Sequence, residues 1–232
     1  MSSSPNDEAP KFYDSISDRY DKYYGHDPGL LAFIKSSLEL LPADASSIEA
    51  ALAISLGYVL GVIVLDIGCG TGIPTSLSVV QSGRKLHGID FSPSMISLSR
   101  TNVPGGIFEL ANMLSYAPSE EYDGAFAIFS LFHFTREEME GLVGRLKGTV
   151  FSEDMVGTRE EMYDEERLSA QNVPHRFMGR VGEYLMYTRK GWEKLLGDSG
   201  YEILKTERVD FLPLAECDEE PHLWITARRV GN

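Results

Sequence analysis

The segment 62–72 constrains this chain more than any other. Val62-Ile63-Val64-Leu65-Asp66-Ile67 is apolar but for one acid, and it runs without a break into Gly68-Cys69-Gly70-Thr71-Gly72. A short apolar run of this kind reads as a buried strand, and the glycines let the backbone turn tightly and come close to a ligand. A helical pattern resumes over 72–82, so the unit is strand, tight turn, helix.

The same rhythm repeats downstream. Strands are expected at 62–67, 85–90, 106–110, 122–129, 148–153, 201–208 and 223–229, with helices at 72–82, 93–101, 136–147 and 189–198. Strands alternating with helices build βαβ units and a parallel sheet. The last two strands are joined by residues 209–222, rich in Asp, Glu and Pro and without helical spacing, so the final strand is expected to run antiparallel. The fold class is therefore α/β, a doubly wound sheet of about seven mostly parallel strands.

Ahead of the sheet, residues 11–24 are aromatic and polar, with Phe12, Ile16 and Tyr20 on one helical face. Leu30, Leu31, Ile34, Leu38 and Leu41 mark an amphipathic helix over 28–41 that Pro42 ends. A further helix is expected at 46–60. No linker divides the chain, so 1–232 reads as one domain: a disordered tail over 1–10, a helical cap over 11–60, and a sheet core over 61–232. Residues 155–188 break the βα rhythm with Tyr163, Phe177, Met178, Tyr184, Met186 and Tyr187, and are placed to lid a pocket or to build a satellite core.

Charge and cysteine content narrow the partners. Acids outnumber bases 35 to 21, for a formal net charge of −14, whereas a nucleic-acid binder needs Lys and Arg to displace phosphate counterions. No nucleic-acid partner is expected. Cys69 and Cys217 are the two cysteines, too few for a disulfide framework and suited to a reducing, cytoplasmic setting. Residues 1–8 have neither a basic nor an apolar signal region. The uncharged stretch 50–65 falls short of the roughly 20 residues of a spanning helix and is broken by Gly57 and Gly61, so no membrane segment is expected.

Spacing within the turn selects the ligand. Asp90 lies 20 residues beyond Gly70, at the end of the next strand, where a carboxylate accepts from ribose hydroxyls. A dinucleotide turn of the form G-x-G-x-x-G needs a third glycine at 73, but that residue is Ile73 and the glycine falls at 72. Asp66, unsuited to a neighbouring pyrophosphate, suits a ligand that carries an ammonium group and no phosphate. Together these point to an adenosine-containing cofactor that is not a dinucleotide.

These residues resemble a known family. Residues 64–72 are similar to the first motif of the class I S-adenosylmethionine-dependent methyltransferases of the small-molecule type, and residues 88–96 (Gly88-Ile89-Asp90-Phe91-Ser92-Pro93-Ser94-Met95-Ile96) to their second. Residues 122–129 resemble the fourth strand, Leu131-Phe132-His133-Phe134 the histidine-bearing segment after it, and Tyr13-Asp14 and Tyr20-Asp21 the paired Tyr-Asp of the N-terminal cap. The resemblance implies a Rossmann-like sheet, S-adenosyl-L-methionine as cofactor, and methyl transfer to an oxygen or nitrogen of a small-molecule metabolite. It implies that Gly68, Cys69 and Gly70 pass the methionine portion, Asp66 orients its ammonium and Asp90 takes the ribose. Phe91 and Met95 would sandwich the adenine, Asn112 and Met113 meet its edge, Tyr13 and Tyr20 close over it, and Ile128 and Phe129 lie beside it. Asn112 departs from the Asp of many members. The turn at 146–150 is shortened, and the stretch 44–61 is longer than most members carry.

The acceptor side is less defined. In-line methyl transfer needs alignment in a water-poor cavity, and a base only where the acceptor is protonated. His133, just past the fourth strand, is either that base, with an ordinary pKa near 6.5, or a residue that orients the acceptor, or a partly buried histidine capping the next helix. His175 and His222 read as solvated loop residues. Glu153 and Asp154 either attract a cationic amine or form a solvated strand end. No His/Cys spacing fits a metal. Two other functions share the same motifs: a cofactor-binding protein without transfer, and an enzyme that uses the sulfonium charge for another reaction such as a cyclisation.

Overall fold

The computed structural model describes residues 5–41, 61–118, 121–146, 149–152, 159–211, 217 and 220–230. Three short helices open it: α1 (Pro5–Ile16), α2 (Asp21–Tyr24) and α3 (Pro28–Leu38). The core follows as β1 (Ile63–Ile67), α4 (Thr75–Gln81), β2 (Lys85–Asp90), α5 (Pro93–Asn102), β3 (Ile107–Leu110), β4 (Gly124–Phe126), α6 (Arg136–Arg145) and β5 (Thr149–Ser152). It ends in β6 (Ser169–Phe177), β7 (Arg180–Tyr187), α7 (Arg189–Asp198), β8 (Tyr201–Phe211) and β9 (Glu220–Arg229).

Seven strands make one sheet in the order β3-β2-β1-β4-β5-β9-β8, while β6 and β7 pair separately. β1 lies between β2 and β4, and strands β1 to β5 are parallel. β9 is antiparallel to both its neighbours, as expected of the last strand. Successive residues of β1 feed opposite faces. Val64 joins Phe33, Ile34, Val79 and Ile96 under α3, α4 and α5, while Leu65 joins Met139, Leu142, Trp192 and Leu196 under α6 and α7. Burial on both faces is why these strands read as unbroken apolar runs. The order of strand addition reverses at β1, towards β2 on one side and β4 on the other, which opens a crevice at the carboxyl end of β1.

Several boundaries differ from the sequence expectation for local reasons. α4 starts at Thr75 rather than at Gly72, because Gly72 has φ +83 and the turn continues through Pro74. Strand β4 stops at Phe126, and the chain then bends through Phe129, a non-glycine residue at φ +50. The insertion is a β-hairpin whose turn, Met178-Gly179, has φ +48 and +85. That is the two-residue hairpin geometry with positive φ at both central positions, and methionine in the first of them hid it. β8 and β9 extend into 209–222, expected as a connection. α1 begins at Pro5, inside the segment expected to be a tail. His175 and His222 are strand residues, 7% and 3% exposed, rather than solvated loop residues. The expected helix at 46–60, the Lys147-Gly148 turn, Glu153 and Asp154 lie outside the described residues. No described helix is long and apolar enough to cross a membrane.

Candidate functional site

The turn after β1 is strapped to β2: the Gly68 and Cys69 amides both donate to the Ile89 carbonyl, at 2.8 and 3.0 Å. Gly68, Gly70 and Gly72 adopt φ of +71, +53 and +83, a region that favours glycine. A Cβ at Gly68 would stand 2.4 Å from the Ser130 Cβ, whereas one at Gly70 would meet only the Tyr20 ring at 3.9 Å. Gly68 is therefore glycine for conformation and space, and Gly70 for conformation beside an open cleft.

Two buried carboxylates flank this turn. Asp90, 6% exposed, accepts from the Gly70 amide at Oδ2 and from the Ser92 amide at Oδ1, each at 2.9 Å. Asp66, 2% exposed, accepts from Ser76 Oγ at 2.6 Å. Burial pushes Asp90 up to about 6. Burial, with the neighbouring Asp90 charge adding to it, pushes Asp66 up to about 7. The Cys69 thiol is also buried and raised, so it stays neutral. A cation placed here would relieve both carboxylates.

The cap lies across the opening. Asp14 of α1 accepts from Ser92 Oγ at 2.5 Å and from the Ser94 amide at 3.2 Å, at the start of α5. Burial raises the Asp14 carboxyl less than these hydrogen bonds lower it, and it is held below its ordinary value. Asp21, at the start of α2, accepts from Thr71 Oγ1 in the glycine turn. The two acids pin the cap, and the tyrosines before them face inward.

Beneath lie two adjoining clefts of about 340 and 360 Å³, which share Tyr20, Gly68, Gly70 and Phe129. The first adds Asp66, Cys69, Ile73, Pro74, Thr75 and Ile128. The second adds Tyr13, Asp90, Phe91, Met95, Met113, Ser130 and His133. Every expected site residue except Asn112 thus lines one cleft or the other. Asn112 is exposed and lines neither cleft, and its Oδ1 accepts from the Leu114 amide at 2.9 Å.

His133 differs from expectation in charge. Burial, and then the positive charge of Arg180, pull its imidazole down to about 4. Its Nε2 lies 3.0 Å from the Tyr13 hydroxyl, and its ring sits 5.1 Å from that of Tyr184 in β7. Sequence reasoning missed Ser130, whose buried Oγ has no hydrogen-bond partner among the described residues, and the pinning roles of Asp14, Asp21 and Thr71. The repeated Tyr-Asp pair was the available signal for the two acids. No group of three or more His, Cys, Asp or Glu among the described residues could hold a metal.

The methyltransferase-domain family matches residues 64–150, from β1 into β5. The matched segment holds the glycine turn, Asp90 and His133. The chain is also similar to the trans-aconitate 2-methyltransferase of Escherichia coli O1:K1, 36% identical over 69 residues, 29% of this chain and 27% of the relative. The match spans about a quarter of that relative's length. Over the whole domain with its cap, the chain resembles the magnesium protoporphyrin IX methyltransferase of Synechocystis PCC 6803 solved with bound S-adenosylmethionine (TM-score 0.60, 16% identity, 99% of each chain). It also resembles the 1,6-didemethyltoxoflavin-N1-methyltransferase of Burkholderia thailandensis (TM-score 0.56, 16% identity, 100% of this chain and 92% of that one). At these identities the likeness is one of fold, with parallel β3-β2-β1-β4 at the centre of the sheet.

Proposed function

We propose that this protein binds S-adenosylmethionine in the paired clefts and transfers its methyl group to an oxygen or nitrogen of a small-molecule metabolite. The observation that carries this reading is the Gly70–Asp90 contact at the crevice of a methyltransferase domain, closed above by Tyr13 and Tyr20. The residues present fit the cofactor. Among the described residues neither buried carboxylate has a cationic partner, and the unsatisfied Ser130 Oγ belongs to a residue that lines the second cleft with Asp90. When bound, S-adenosylmethionine supplies a methyl carbon that an acceptor lone pair attacks in line as the carbon–sulfur bond breaks. The chain's own part is alignment and exclusion of water. In this reading the backbone at Gly68 and Gly70 passes the methionine portion, Asp66 meets its ammonium, and Asp90 spends its remaining lone pairs on the ribose hydroxyls. Phe91 and Met95 hold the adenine between them, and Met113 meets its edge.

Thermal unfolding with S-adenosylhomocysteine tests the cofactor. A ligand bound only by the folded state adds about 2.7 kcal/mol at a hundredfold excess over Kd, so the melting temperature should rise, whereas NAD should leave it unchanged. The reverse pattern would overturn the assignment. Transfer of labelled methyl into a metabolite extract then separates an enzyme from a binding protein and from a non-methylating enzyme.

A further inference from the structure

Ser76, near the start of α4, is wholly buried and lines neither cleft. Its hydroxyl donates to Oδ2 of Asp66 at 2.6 Å, and its backbone amide bonds the same carboxylate. Asp66 does line the first cleft, beside Gly68 and Gly70. Among the described residues, the ionisable groups that bear on it are Asp90 from β2 and the Cys69 thiol from the glycine turn, neither of them cationic. A carboxylate on the cleft wall is thus held from behind by a residue outside the cleft.

A carboxylate turns broadly about its last side-chain bond, so an aspartate on a cleft wall aims no fixed lone pair unless something holds it. We propose that Ser76 is a positioning residue for the cofactor. By holding Oδ2 it fixes the plane of the Asp66 carboxylate and leaves Oδ1 to meet the ammonium of the methionine portion. This rests on the methyltransferase reading above. The same contact acts on charge. Burial raises the Asp66 carboxyl, the Ser76 hydroxyl lowers it and the Asp90 charge raises it, to about 7. A hydroxyl that donates to a carboxylate favours the ionised form, and only that form attracts an ammonium. Without the hydroxyl, Asp66 keeps its proton to higher pH and its plane is no longer fixed. Cofactor affinity then falls off at higher pH than in the parent.

Calorimetry on the full chain with two ligands tests this. S-adenosylhomocysteine carries the ammonium, whereas 5′-methylthioadenosine has the same nucleoside and thioether and lacks it. Ser76→Ala keeps the backbone amide. It should weaken S-adenosylhomocysteine about tenfold at pH 7, as for a hydrogen bond to a charged group, and change 5′-methylthioadenosine by less than about twofold. The variant-to-parent ratio removes the ligand's own titration, and the loss should shrink between pH 7 and 8.5 as Asp66 ionises in both proteins. Asp66→Asn should remove that dependence on pH, and Ser76→Ala added to Asp66→Asn should cost less than about twofold more, because residues that act through one contact are not additive. Equal loss for both ligands would make Ser76 a support of the turn alone and overturn the proposal. Parent-like affinity for S-adenosylhomocysteine at every pH, a loss that does not vary with pH, or a full loss on top of Asp66→Asn would overturn it as well. A parent that does not bind S-adenosylhomocysteine overturns the functional reading itself, and the positioning role with it.

Discussion

Asp90 holds two backbone amides at once, and this couples the glycine turn to the start of α5. Asp90→Ala removes both bonds along with those assigned to the ribose. Each bond to a charged group is worth roughly 1.5–3 kcal/mol, so S-adenosylhomocysteine affinity by calorimetry should fall about tenfold or more while the sheet persists. Unchanged affinity would move the ribose elsewhere. Asp66 makes a different statement. Its carboxyl is raised from 3.8 to about 7 in the folded chain, so the folded state holds that proton more tightly than the unfolded one. Stability from this group is complete below about pH 3.8 and is lost as pH rises through about 7. Asparagine is neutral at every pH. In urea unfolding of the ligand-free protein, Asp66→Asn should therefore gain most over the parent at pH 8 and less at pH 5. Comparing the variant with the parent cancels the opposing pull of His133, whose lowered value costs stability as pH falls from about 6.5 to 4. An equal gain at both pH values would mean that Asp66 titrates as an ordinary carboxylate.

Among the elements, α1 and α2 are held by carboxylates at places that attract them. Asp14 sits at the N-terminus of α5, where the unpaired amides and the helix dipole favour negative charge, and Asp21 meets the glycine turn. Replacing both with alanine should leave far-UV circular dichroism of the sheet unchanged, speed proteolysis between residues 17 and 26, and weaken S-adenosylhomocysteine binding by about tenfold. If neither proteolysis nor affinity responds, the apolar contacts of Phe12 and Ile16 hold the cap alone. The elements also divide by how well the sequence announced them. β1, β2, α5 and α6 have apolar runs or capping residues such as Ser92 and Thr135, and lie close to their expected bounds. The β6–β7 hairpin escaped because Met178 takes a left-handed turn position without the usual Asn or Asp.

In the whole molecule, the cap and the hairpin are one closure. Phe177 of β6 lies 6.2, 6.5 and 6.3 Å from the rings of Phe12, Tyr13 and Tyr20, and Ile16 packs with Met178 and Cys217. Phe177 lines neither cleft described above, yet it backs both tyrosines that do. Phe177→Ala should cost less than the roughly 3–5 kcal/mol of a fully buried phenylalanine, because the ring is only half-buried. It should also weaken S-adenosylhomocysteine several-fold in calorimetry. Parent-like affinity would show that the hairpin closes only the acceptor side.

What the sequence by itself determined is what a few neighbouring residues encode. Strand runs, three glycines able to take positive φ, and an acid 20 residues on were legible because backbone preference and side-chain period act locally. The tertiary structure decided the rest. Ser130 sets the space at Gly68 across 62 positions, Tyr13 reaches His133 across 120, and Asn112 turns onto its own loop. Asp66 and Asp90 rise and His133 falls. Burial and electrostatic potential are sums over neighbours far apart in the chain, so no local pattern carries them.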